Sequence, residues 1–286
     1  MPSVVIAAHN EESVIGACLD AVHAQRPAMS LEVIVSANGC TDGTVRVTEE
    51  RGVTVIDRSE AGKAGALNAA EEVATQFPRF YLDADIILPP HALSALTARL
   101  DDALAVVPRR RIDTKGRPLL VKAYFVINER LPVFRDGLFG RGCIGLSDEG
   151  RARFDAFPSM VADDLFLDSQ FTTQQKLQVD SVEIVVAAPL TTKALVQRLV
   201  RVRRGNVDMR AALGDNVRAS NKWSWLRDVV LPHPWLIPAA IPYVAITVLA
   251  GALARRDAAA SSWGRDDSTR RATTDRPTTA PGEASQ

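Results

Sequence analysis

The sequence contains few cysteines and no excess of either charge. Cys18, Cys40 and Cys143 are its three cysteines, and they are widely spaced without a Cys-x-x-Cys pattern. This spacing argues against a disulfide framework or a zinc site and indicates reduced thiols in a cytosolic protein. Lysine plus arginine and aspartate plus glutamate both number 34. A protein that binds nucleic acid normally carries a basic excess, so we expect no nucleic-acid partner.

The sequence also lacks internal repeats and a recognisable leader. Its first residues lead directly into an apolar strand pattern, without a charged segment, an apolar stretch and a cleavage site, so we expect no secretion signal. Hydrophobic residues make up 47% of the 286 residues. That content suits one large domain, or one domain with an appendage.

Strand and helix patterns alternate in the first half of the chain. Short Val/Ile-rich segments bounded by turn residues predict strands, and segments with helical spacing lie between them. This alternation predicts an α/β fold with βαβ units and a mostly parallel sheet. The predicted strands are 3–8, 31–36, 53–56, 80–82 and 103–107, and the predicted helices are 12–24, 42–50, 65–75 and 90–100. Further along, the patterns predict strand and loop at 118–128 and 138–146, helices at 162–170 and 192–213, and a strand at 182–187.

The last third contains an uncharged apolar segment at 235–254, which is long enough to span a bilayer. Pro238 and Pro242 weaken it as a straight helix, and the arginines that follow favour a cytosolic end. Three interpretations stay open: a span, a re-entrant or interfacial anchor, and a buried core helix. We predict a catalytic domain at 1–210, an amphipathic connector at 211–234, the membrane segment at 235–254 and a disordered tail at 255–286.

The most informative motif is Asp83-Ala84-Asp85, which ends the predicted strand 80–82. Open α/β sheets bind ligands at the carboxyl ends of their strands. Side chains two residues apart in a strand share a face, so both carboxylates can reach one hard cation. Mg²⁺ or Mn²⁺ held by one or two carboxylates keeps positions for substrate phosphates. The alternative is that the two aspartates simply open a loop before Pro89.

Polar turns also follow the first two predicted strands. His9, Asn10 and Glu11 follow the first, and Asn38 begins the turn after the second. Each turn precedes a helix whose free N–H groups favour anions. Capping of those helices by Asn10, and by Thr41 or Asp42, is an alternative that is compatible with ligand contact.

Three further groups of charged residues follow. Lys63 lies in a glycine-bearing turn before a helix, without the spacing of a Walker motif, and either pairs with a diphosphate or is an exposed lysine. Asp163 and Asp164 begin a predicted helix, where the dipole favours them, and a carboxylate there can act as general base. Arg198 and Arg201 share a helix face and either clamp a pyrophosphate, form a solvated basic surface, or lie against anionic lipid.

The order of these motifs over residues 2–206 resembles the family 2 glycosyltransferases of GT-A fold. The resemblance implies a GT-A type nucleotide-sugar-binding sandwich with a mostly parallel central sheet, followed here by the C-terminal apolar membrane segment. It implies that Asp83 and Asp85 bind the divalent metal, Mg²⁺ or Mn²⁺, on the donor diphosphate, and that Asp164 is the catalytic base. The implied nucleotide pocket consists of His9, Asn10, Glu11, Asn38, Lys63 and Asp83, and the implied leaving-group or acceptor side consists of Asp163, Arg198 and Arg201.

The sequence departs from this family at three positions. The family usually has an aromatic residue at His9 and an aspartate at Asn38; histidine can still stack on a base, and asparagine keeps a carbonyl acceptor. Processive members have tryptophan where Val202 stands, so we expect transfer of a single sugar. The resemblance implies inverting, metal-dependent transfer, with a UDP-sugar as the expected donor, to a glycan or lipid-linked acceptor of the cell envelope, on the cytoplasmic face of the membrane.

Two other functions stay open. A nucleotidyltransferase on a related α/β fold also uses carboxylate-bound Mg²⁺, but it would begin with a glycine-rich basic loop in place of His9-Asn10-Glu11. A catalytically idle membrane protein that binds nucleotide sugars would not need every acidic position, and all of the expected ones are filled here.

Overall fold

The structure is a computed structural model that describes residues 1–159, 163–213 and 221–256, and it shows an α/β fold around one seven-stranded sheet. The strand order is β3-β2-β1-β4-β6-β5-β7, and β6 runs antiparallel to both of its neighbours. The strands are β1 (Ser3–Ala8), β2 (Glu32–Asn38), β3 (Thr54–Arg58), β4 (Arg79–Leu82), β5 (Ala105–Asp113), β6 (Cys143–Leu146) and β7 (Lys176–Ala187). The helices are α1 (Glu12–His23), α2 (Thr44–Glu49), α3 (Lys63–Val73), α4 (Ala92–Thr97), α5 (Leu119–Asn128), α6 (Val133–Asp136), α7 (Asp148–Arg151), α8 (Asp163–Ser169), α9 (Thr192–Leu213) and α10 (Ile237–Arg256).

The predicted mostly parallel sheet is confirmed, and its centre determines where polar side chains meet. β1 pairs in parallel with β2 on one side and with β4 on the other. The carboxyl ends of these three strands therefore lie at one edge of the sheet. Ala8 ends β1, Asn38 ends β2 and Leu82 ends β4, so the turn after each strand opens at this edge.

Helices cover both faces of β1, which explains its uninterrupted apolar sequence. Val4 and Ile6 are fully buried in a cluster with Leu19 of α1, on one face of the sheet. Val5 points to the other face and lies in a cluster with Leu67 of α3. Two layers of helix on one buried sheet give the site at the carboxyl edge a rigid base.

The strand prediction at 118–128 is wrong, because most of this segment forms helix α5. Its buried residues include Val121, Tyr124, Phe125 and Asn128, which are spaced three and four apart and so share one helix face. Leu119 and Leu120 at its start are exposed. The β-branched and aromatic residues suggested a strand, but the face that is buried has helical periodicity.

The apolar C-terminal segment forms helix α10, which is long and apolar enough to cross a membrane, although less than a third of its most apolar stretch is buried. One face packs on the domain. Tyr243 stacks on Tyr124 of α5 with ring centroids 5.1 Å apart, and Arg203 of α9 donates to the carbonyl of Thr247 at 2.6 Å. Ile241 and Val248 on another face are 68% and 62% exposed.

The C-terminal part was predicted to consist of a connector, a membrane segment and a tail. The helix predicted at 192–213 is confirmed, and α10 continues through Pro242, whereas Pro238 stands in its first turn, where proline is tolerated. Residues 214–220 of the predicted connector and 257–286 of the predicted tail lie outside the described residues, as does residue 162 at the start of another predicted helix. The boundaries at 210, 234 and 254 therefore stay predictions.

A buried charge cluster joins α3, β4 and α7 on the side of the sheet away from the carboxyl edge. The carboxylate of Glu71 pairs with Arg151 at 2.7 Å and with Arg79 at 3.5 Å, and it accepts a hydrogen bond from Tyr81 at 2.9 Å. The side chain of Glu71 is only 9% exposed and that of Arg79 only 3%. One carboxylate therefore compensates two arginines that have little contact with water.

We predict that Glu71→Gln destabilises the protein by about 3 kcal/mol, because removing one partner leaves buried charge uncompensated. Urea denaturation followed by circular dichroism measures this change. Arg46→Gln is the matched control, since Arg46 pairs with Glu50 on the surface and its loss should hardly move the midpoint. Equal midpoints for Glu71→Gln and Arg46→Gln would contradict the structural role of Glu71.

Candidate active site

Asn38 ties together the turns at the carboxyl edge of the sheet. It is 1% exposed, its side-chain amide donates to the carbonyl of Ala8 at 2.7 Å, and its carbonyl oxygen accepts the backbone N–H of Gly62 at 3.0 Å. One side chain thus connects the ends of β1 and β2 with the start of α3. An asparagine suits this position because it supplies both a donor and an acceptor.

The turn after β1 is fixed against the turn after β2. His9 makes a 2.5 Å hydrogen bond from its ring Nδ1 to the carbonyl of Asn38, and Asn10 accepts the backbone N–H of Thr41 at 2.6 Å. Asn10 adopts a left-handed φ of 52°, a conformation that asparagine tolerates better than most residues. The side chain of Asn10 therefore crosslinks two loops, whereas helix α1 has Glu11 at its N-cap without a side-chain cap.

Glu11 and Asp42 complete this crosslinked region. The backbone N–H of Glu11 donates to the hydroxyl of Thr44 at 2.7 Å, and Glu11 itself is buried. Asp42 accepts backbone N–H groups from Thr44 at 3.1 Å and from Glu12 at 3.3 Å. Asp42 is not the N-cap of either helix, since Gly43 is the N-cap of α2 and Glu11 that of α1, but its carboxylate accepts N–H groups from the first residue of each.

The two aspartates after β4 lie in a turn, not in the strand. β4 ends at Leu82, and the N–H of Ile86 donates to the carbonyl of Asp83. The expectation that the two aspartates share a strand face is therefore wrong, although Ala84 and Ile86 are buried while Asp83 is half-buried and Asp85 exposed. Binding of one cation by both carboxylates stays a prediction. Both carboxylates are on the open side of the turn.

Lys63 joins this turn to helix α8. Its ammonium lies 2.7 Å from Asp83 and 2.9 Å from Asp163. Burial alone would lower the pKa of this ammonium, but Asp163 and Asp83 hold its pKa well above the ordinary value. Lys63 in turn lowers the pKa of the Asp83 carboxyl, with a smaller effect from Arg198 of α9. Asp83 is therefore ionised at neutral pH.

Asp164 lies beside this ion bridge and is not part of it. One carboxylate oxygen accepts the backbone N–H of Gly140 at 3.0 Å, and the other accepts that of Leu165 at 2.8 Å. Burial and the neighbouring Asp163 raise its pKa to about 6, against a smaller lowering effect of Lys63. A carboxyl with a pKa just below neutrality is suited to accepting a proton.

The structure thus places the predicted residues in two connected groups. His9, Asn10, Glu11 and Asn38 form the first, and Asn38 reaches the second through Gly62, next to Lys63. The second group consists of Lys63, Asp83, Asp163 and Asp164, with Arg198 close enough to act on Asp83. Arg201 lies half-buried three residues further along α9, and Asp85 lies exposed beside Asp83.

The loop before β6 lies against the site, although its sequence carries no motif that indicates its contacts. Gly142 has a left-handed φ of 68°, and a Cβ there would lie 3.3 Å from a carboxylate oxygen of Asp83 and 2.5 Å from Ile86. Gly140 also has a left-handed φ, of 69°, and a Cβ there would lie 3.0 Å from Arg110. The glycines were visible in the sequence, but their contacts depend on the pairing of β6 with β4 and β5.

The carboxylates after β4 fit a hard divalent cation. Asp83 and Asp85 offer oxygen ligands on the open side of the turn, and Gly142 leaves room around Asp83. Among the described residues, no group of three or more His, Cys, Asp or Glu side chains forms a complete metal site. Two carboxylates with remaining positions for phosphate oxygens are the usual arrangement for Mg²⁺.

A mostly parallel sheet that carries this carboxylate pair and a neighbouring acid at its carboxyl edge defines the class of GT-A glycosyltransferases. The chain belongs to glycosyl transferase family 2, whose model matches residues 3–148, just over half of the 286 residues. The resemblance predicted from the sequence is confirmed, and the protein is a glycosyltransferase. A search of curated proteins gives no match.

Several solved glycosyltransferases share the fold. Mannosyltransferase PcManGT from Pyrobaculum calidifontis, solved with GDP-Man and Mn²⁺, has a TM-score of 0.59 at 22% identity over 90% of this chain and 79% of that chain. Glucosyl-3-phosphoglycerate synthase from Mycobacterium tuberculosis was solved with Mn²⁺, UDP and glucosyl-3-phosphoglycerate. It has a TM-score of 0.53 at 19% identity, over 77% of this chain and 81% of that chain. TarS from S. aureus, solved with UDP-GlcNAc, has a TM-score of 0.51 at 12% identity, over 90% of this chain and 92% of that chain.

We predict that Asn38→Asp destabilises the protein by about 2 kcal/mol at neutral pH, because a carboxylate would face the carbonyl of Ala8. That environment raises the pKa of the new carboxyl in the folded state. The protonated form can donate to Ala8, so the loss should shrink as pH falls and grow as pH rises through the folded pKa. Denaturation midpoints at several pH values test this, and a loss independent of pH would contradict it.

Proposed function

We propose that this glycosyltransferase moves a single sugar from a nucleotide-diphosphate sugar to a hydroxyl acceptor, with inversion at the anomeric carbon. The observation that carries the proposal is the Lys63 bridge, which holds the Asp83 turn against the Asp163 end of α8. It brings the residues suited to a donor diphosphate next to the acid suited to an acceptor hydroxyl. The exposed Val202, where processive relatives have tryptophan, supports single transfer.

The nucleotide is proposed to bind along the turns after β1 and β2. His9 offers a ring for stacking on a base, and Asn38 fixes the distance between these turns. The neighbours of similar fold were solved with GDP-Man, UDP and UDP-GlcNAc, all of which carry a nucleoside diphosphate. We propose a UDP-sugar as donor for this chain.

Asp83 and Asp85 would hold a Mg²⁺ or Mn²⁺ ion, which supplies positive charge to the donor diphosphate when bound. The protein's own cations surround the same position. Lys63 lies between the acidic residues, and Arg198 acts on Asp83 from α9. We propose that these cations, with Arg201, stabilise the charge that develops on the leaving diphosphate.

Asp164 is proposed as the base. It takes the proton of the acceptor hydroxyl while that oxygen bonds to the anomeric carbon and the bond to the diphosphate breaks. The N–H groups of Gly140 and Leu165 fix the direction of its carboxylate. Because the acceptor attacks the face opposite the diphosphate, a single carboxylate suffices and no covalent enzyme intermediate forms.

Asp164→Asn should lower the rate of transfer by about 10²–10⁴-fold and leave the affinity for nucleoside diphosphate nearly unchanged, because a base acts on the acceptor. Turnover at saturating acceptor and calorimetry with UDP and Mn²⁺ measure the two effects. Asp102→Asn is the control, since Asp102 is exposed and pairs only with Arg99 among the described residues. More than about a tenth of wild-type turnover in Asp164→Asn would exclude the assignment.

The pH profile gives a second readout of the same residue. Asp163, Lys63 and Asp83 carry the charges that act on Asp164, and its pKa of about 6 lies well above the ordinary value of an aspartate. Below that pH the carboxyl is protonated and cannot accept a proton. Transfer should therefore increase as pH rises through about 6 and then level off, and the residual activity of Asp164→Asn should lack this step.

Asp85→Ala should strongly reduce the metal-dependent part of donor binding, because it removes one of two proposed carboxylate ligands. Calorimetry with UDP, with and without Mn²⁺, measures this part. We expect the stimulation by Mn²⁺ to fall at least about tenfold. Asp102→Ala is the matched control, and equal stimulation in both variants would rule out Asp85 as a ligand.

We further propose that α10 anchors the enzyme as an interfacial helix on the cytoplasmic face of a membrane, where it would act on a glycan or lipid-linked acceptor of the cell envelope. Ala240, Tyr243 and Ala250 are buried against the domain, while Ile241 and Val248 are exposed. A helix held along the domain by one face supports an anchor parallel to the surface better than a span. Nucleotide sugars are cytosolic, which supports this side of the membrane.

Replacing Ile237, Ile241 and Val248 together by serine should lower binding to phosphatidylcholine vesicles by at least roughly tenfold, because each buried aliphatic side chain contributes about 1.5–3 kcal/mol. Vesicle sedimentation measures the bound fraction. Val73→Ser with Val185→Ser is the control, since both valines are exposed away from α10. Unchanged sedimentation of the triple variant would contradict the anchor. Truncation before α10 is a poorer test, because it would uncover the face of α5 that α10 packs on.

A further inference from the structure

Arg110 on β5 is a half-buried cation beside the proposed base, and among the described residues no carboxylate lies within 4.0 Å of it. Its guanidinium lies 3.5 Å above the ring of Phe134 and donates to the side-chain carbonyl of Asn128 at 3.0 Å. These two contacts fix the plane of the guanidinium. Neither of them neutralises its charge.

The neighbouring arginines of the same strand are compensated. Arg109 and Arg111 point to one side of β5 and pair with Glu183 of β7 at 2.5 and 2.8 Å. Arg110 points to the opposite side, as alternate residues of a strand do. The run of three arginines therefore divides into two that form surface ion pairs and one that is directed towards the site.

Positive charges surround Arg110. Burial, Arg141 and Arg198 lower the pKa of its guanidinium to about 9, partly offset by Glu129. Arg141 is itself buried and donates to the carbonyl of Pro108 at 2.8 Å and to Gln178 at 2.5 Å. Arg141 is thus occupied by protein acceptors, whereas Arg110, half-buried, near two further positive charges and without a carboxylate within 4.0 Å among the described residues, is favourable for binding an anion.

Gly140 connects this cluster to the chemistry. The backbone N–H of Gly140 donates to Asp164. A Cβ on Gly140 would lie only 3.0 Å from the guanidinium of Arg110. An acceptor whose hydroxyl reaches Asp164 therefore has Arg110 beside it. The donor diphosphate is expected on the other side of Asp164, at Asp83 and Lys63.

We infer that the acceptor carries a phosphate group close to the hydroxyl that is glycosylated, and that Arg110 binds this phosphate. The inference rests on the proposed function, since it assigns the acceptor side of the same site. A planar guanidinium with fixed orientation matches two phosphate oxygens better than an ammonium does. Arg110 is thus a specificity-determining residue that neither the motifs nor the family resemblance indicated.

The phosphate has two possible sources. The charge of Arg110 acts on Tyr124 of α5, which stacks on Tyr243 of α10, so Arg110 lies near the helices that carry the exposed apolar face. A lipid phosphate can approach from that side, and a soluble phosphate ester can enter from water. The chemistry recognised by Arg110 is the same in both cases.

The test uses the full chain, with glycerol 3-phosphate and neutral glycerol as soluble probes, and phosphatidylcholine vesicles with and without phosphatidic acid as lipid probes. Binding is measured with and without UDP and Mn²⁺. Arg110→Gln should lower the affinity for the phosphate probe at least about tenfold, because it removes a charge-assisted hydrogen bond. Arg109→Gln, on the other side of β5, is the matched control and should bind like wild type.

Arg110→Met is a second variant that keeps packing over Phe134 and lacks the charge. Whichever phosphate probe wild type binds should raise its melting temperature and should not raise that of Arg110→Met. A response to glycerol 3-phosphate identifies a soluble source, and a response only to phosphatidic acid identifies a lipid source; both support the inference.

Three results would overturn the inference. The first is equal binding of the phosphate probes by wild type and Arg110→Gln. The second is no binding of either probe by wild type. The third is loss of UDP affinity in both Arg110 variants, which would place Arg110 on the donor side. A failure of the proposed function looks different, because wild type would then bind no UDP while phosphate binding could still depend on Arg110.

Discussion

One ammonium group between two carboxylates holds the site together. Lys63 begins α3, Asp83 follows β4 and Asp163 begins α8, so a single side chain joins three elements that are distant in sequence. Without this cation, Asp83, Asp163 and Asp164 would repel one another in a half-buried space. With it, the pKa of Asp83 is lowered while that of Asp164 remains raised to about 6. Neighbouring acids thus acquire the different protonation behaviour that ligand binding and proton transfer require.

The turns around this bridge are held by side chains that bond to backbone groups. Asn38, Asn10 and Asp42 all accept backbone N–H groups from another segment. This arrangement explains why an asparagine stands where relatives have aspartate. The amide of Asn38 must donate to the carbonyl of Ala8, and an ionised carboxylate has no hydrogen to give. The positions of His9 and Gly62 depend on the same residue.

The sequence allowed prediction of features with local causes. Val/Ile-rich segments gave the parallel strands, and polar residues after β1, β2 and β4 gave the edge where the site lies, because neighbouring parallel strands end together. The 118–128 segment was predicted wrongly because its apolar residues fit the spacing of a strand as well as that of a helix. The helix is stabilised by its packing against α10. The role proposed for Arg110 was not predictable, since the pairing of β5 with β7 decides which of three consecutive arginines pair with Glu183 and which one points to the other side.

The helices α5, α9 and α10 give the two sides of the site different surroundings. The proposed donor side lies at the ends of β1, β2 and β4, where polar turns follow the strands. The proposed acceptor side lies near Arg110, whose charge acts on Tyr124 of α5, and Tyr124 stacks on Tyr243 of α10. Because the inner face of α10 is part of the apolar core, this helix cannot leave the domain without exposing that core. A membrane bound through its outer face would therefore lie at a fixed distance from Asp164, which would bring a soluble donor and a surface-bound acceptor to the same base from opposite sides.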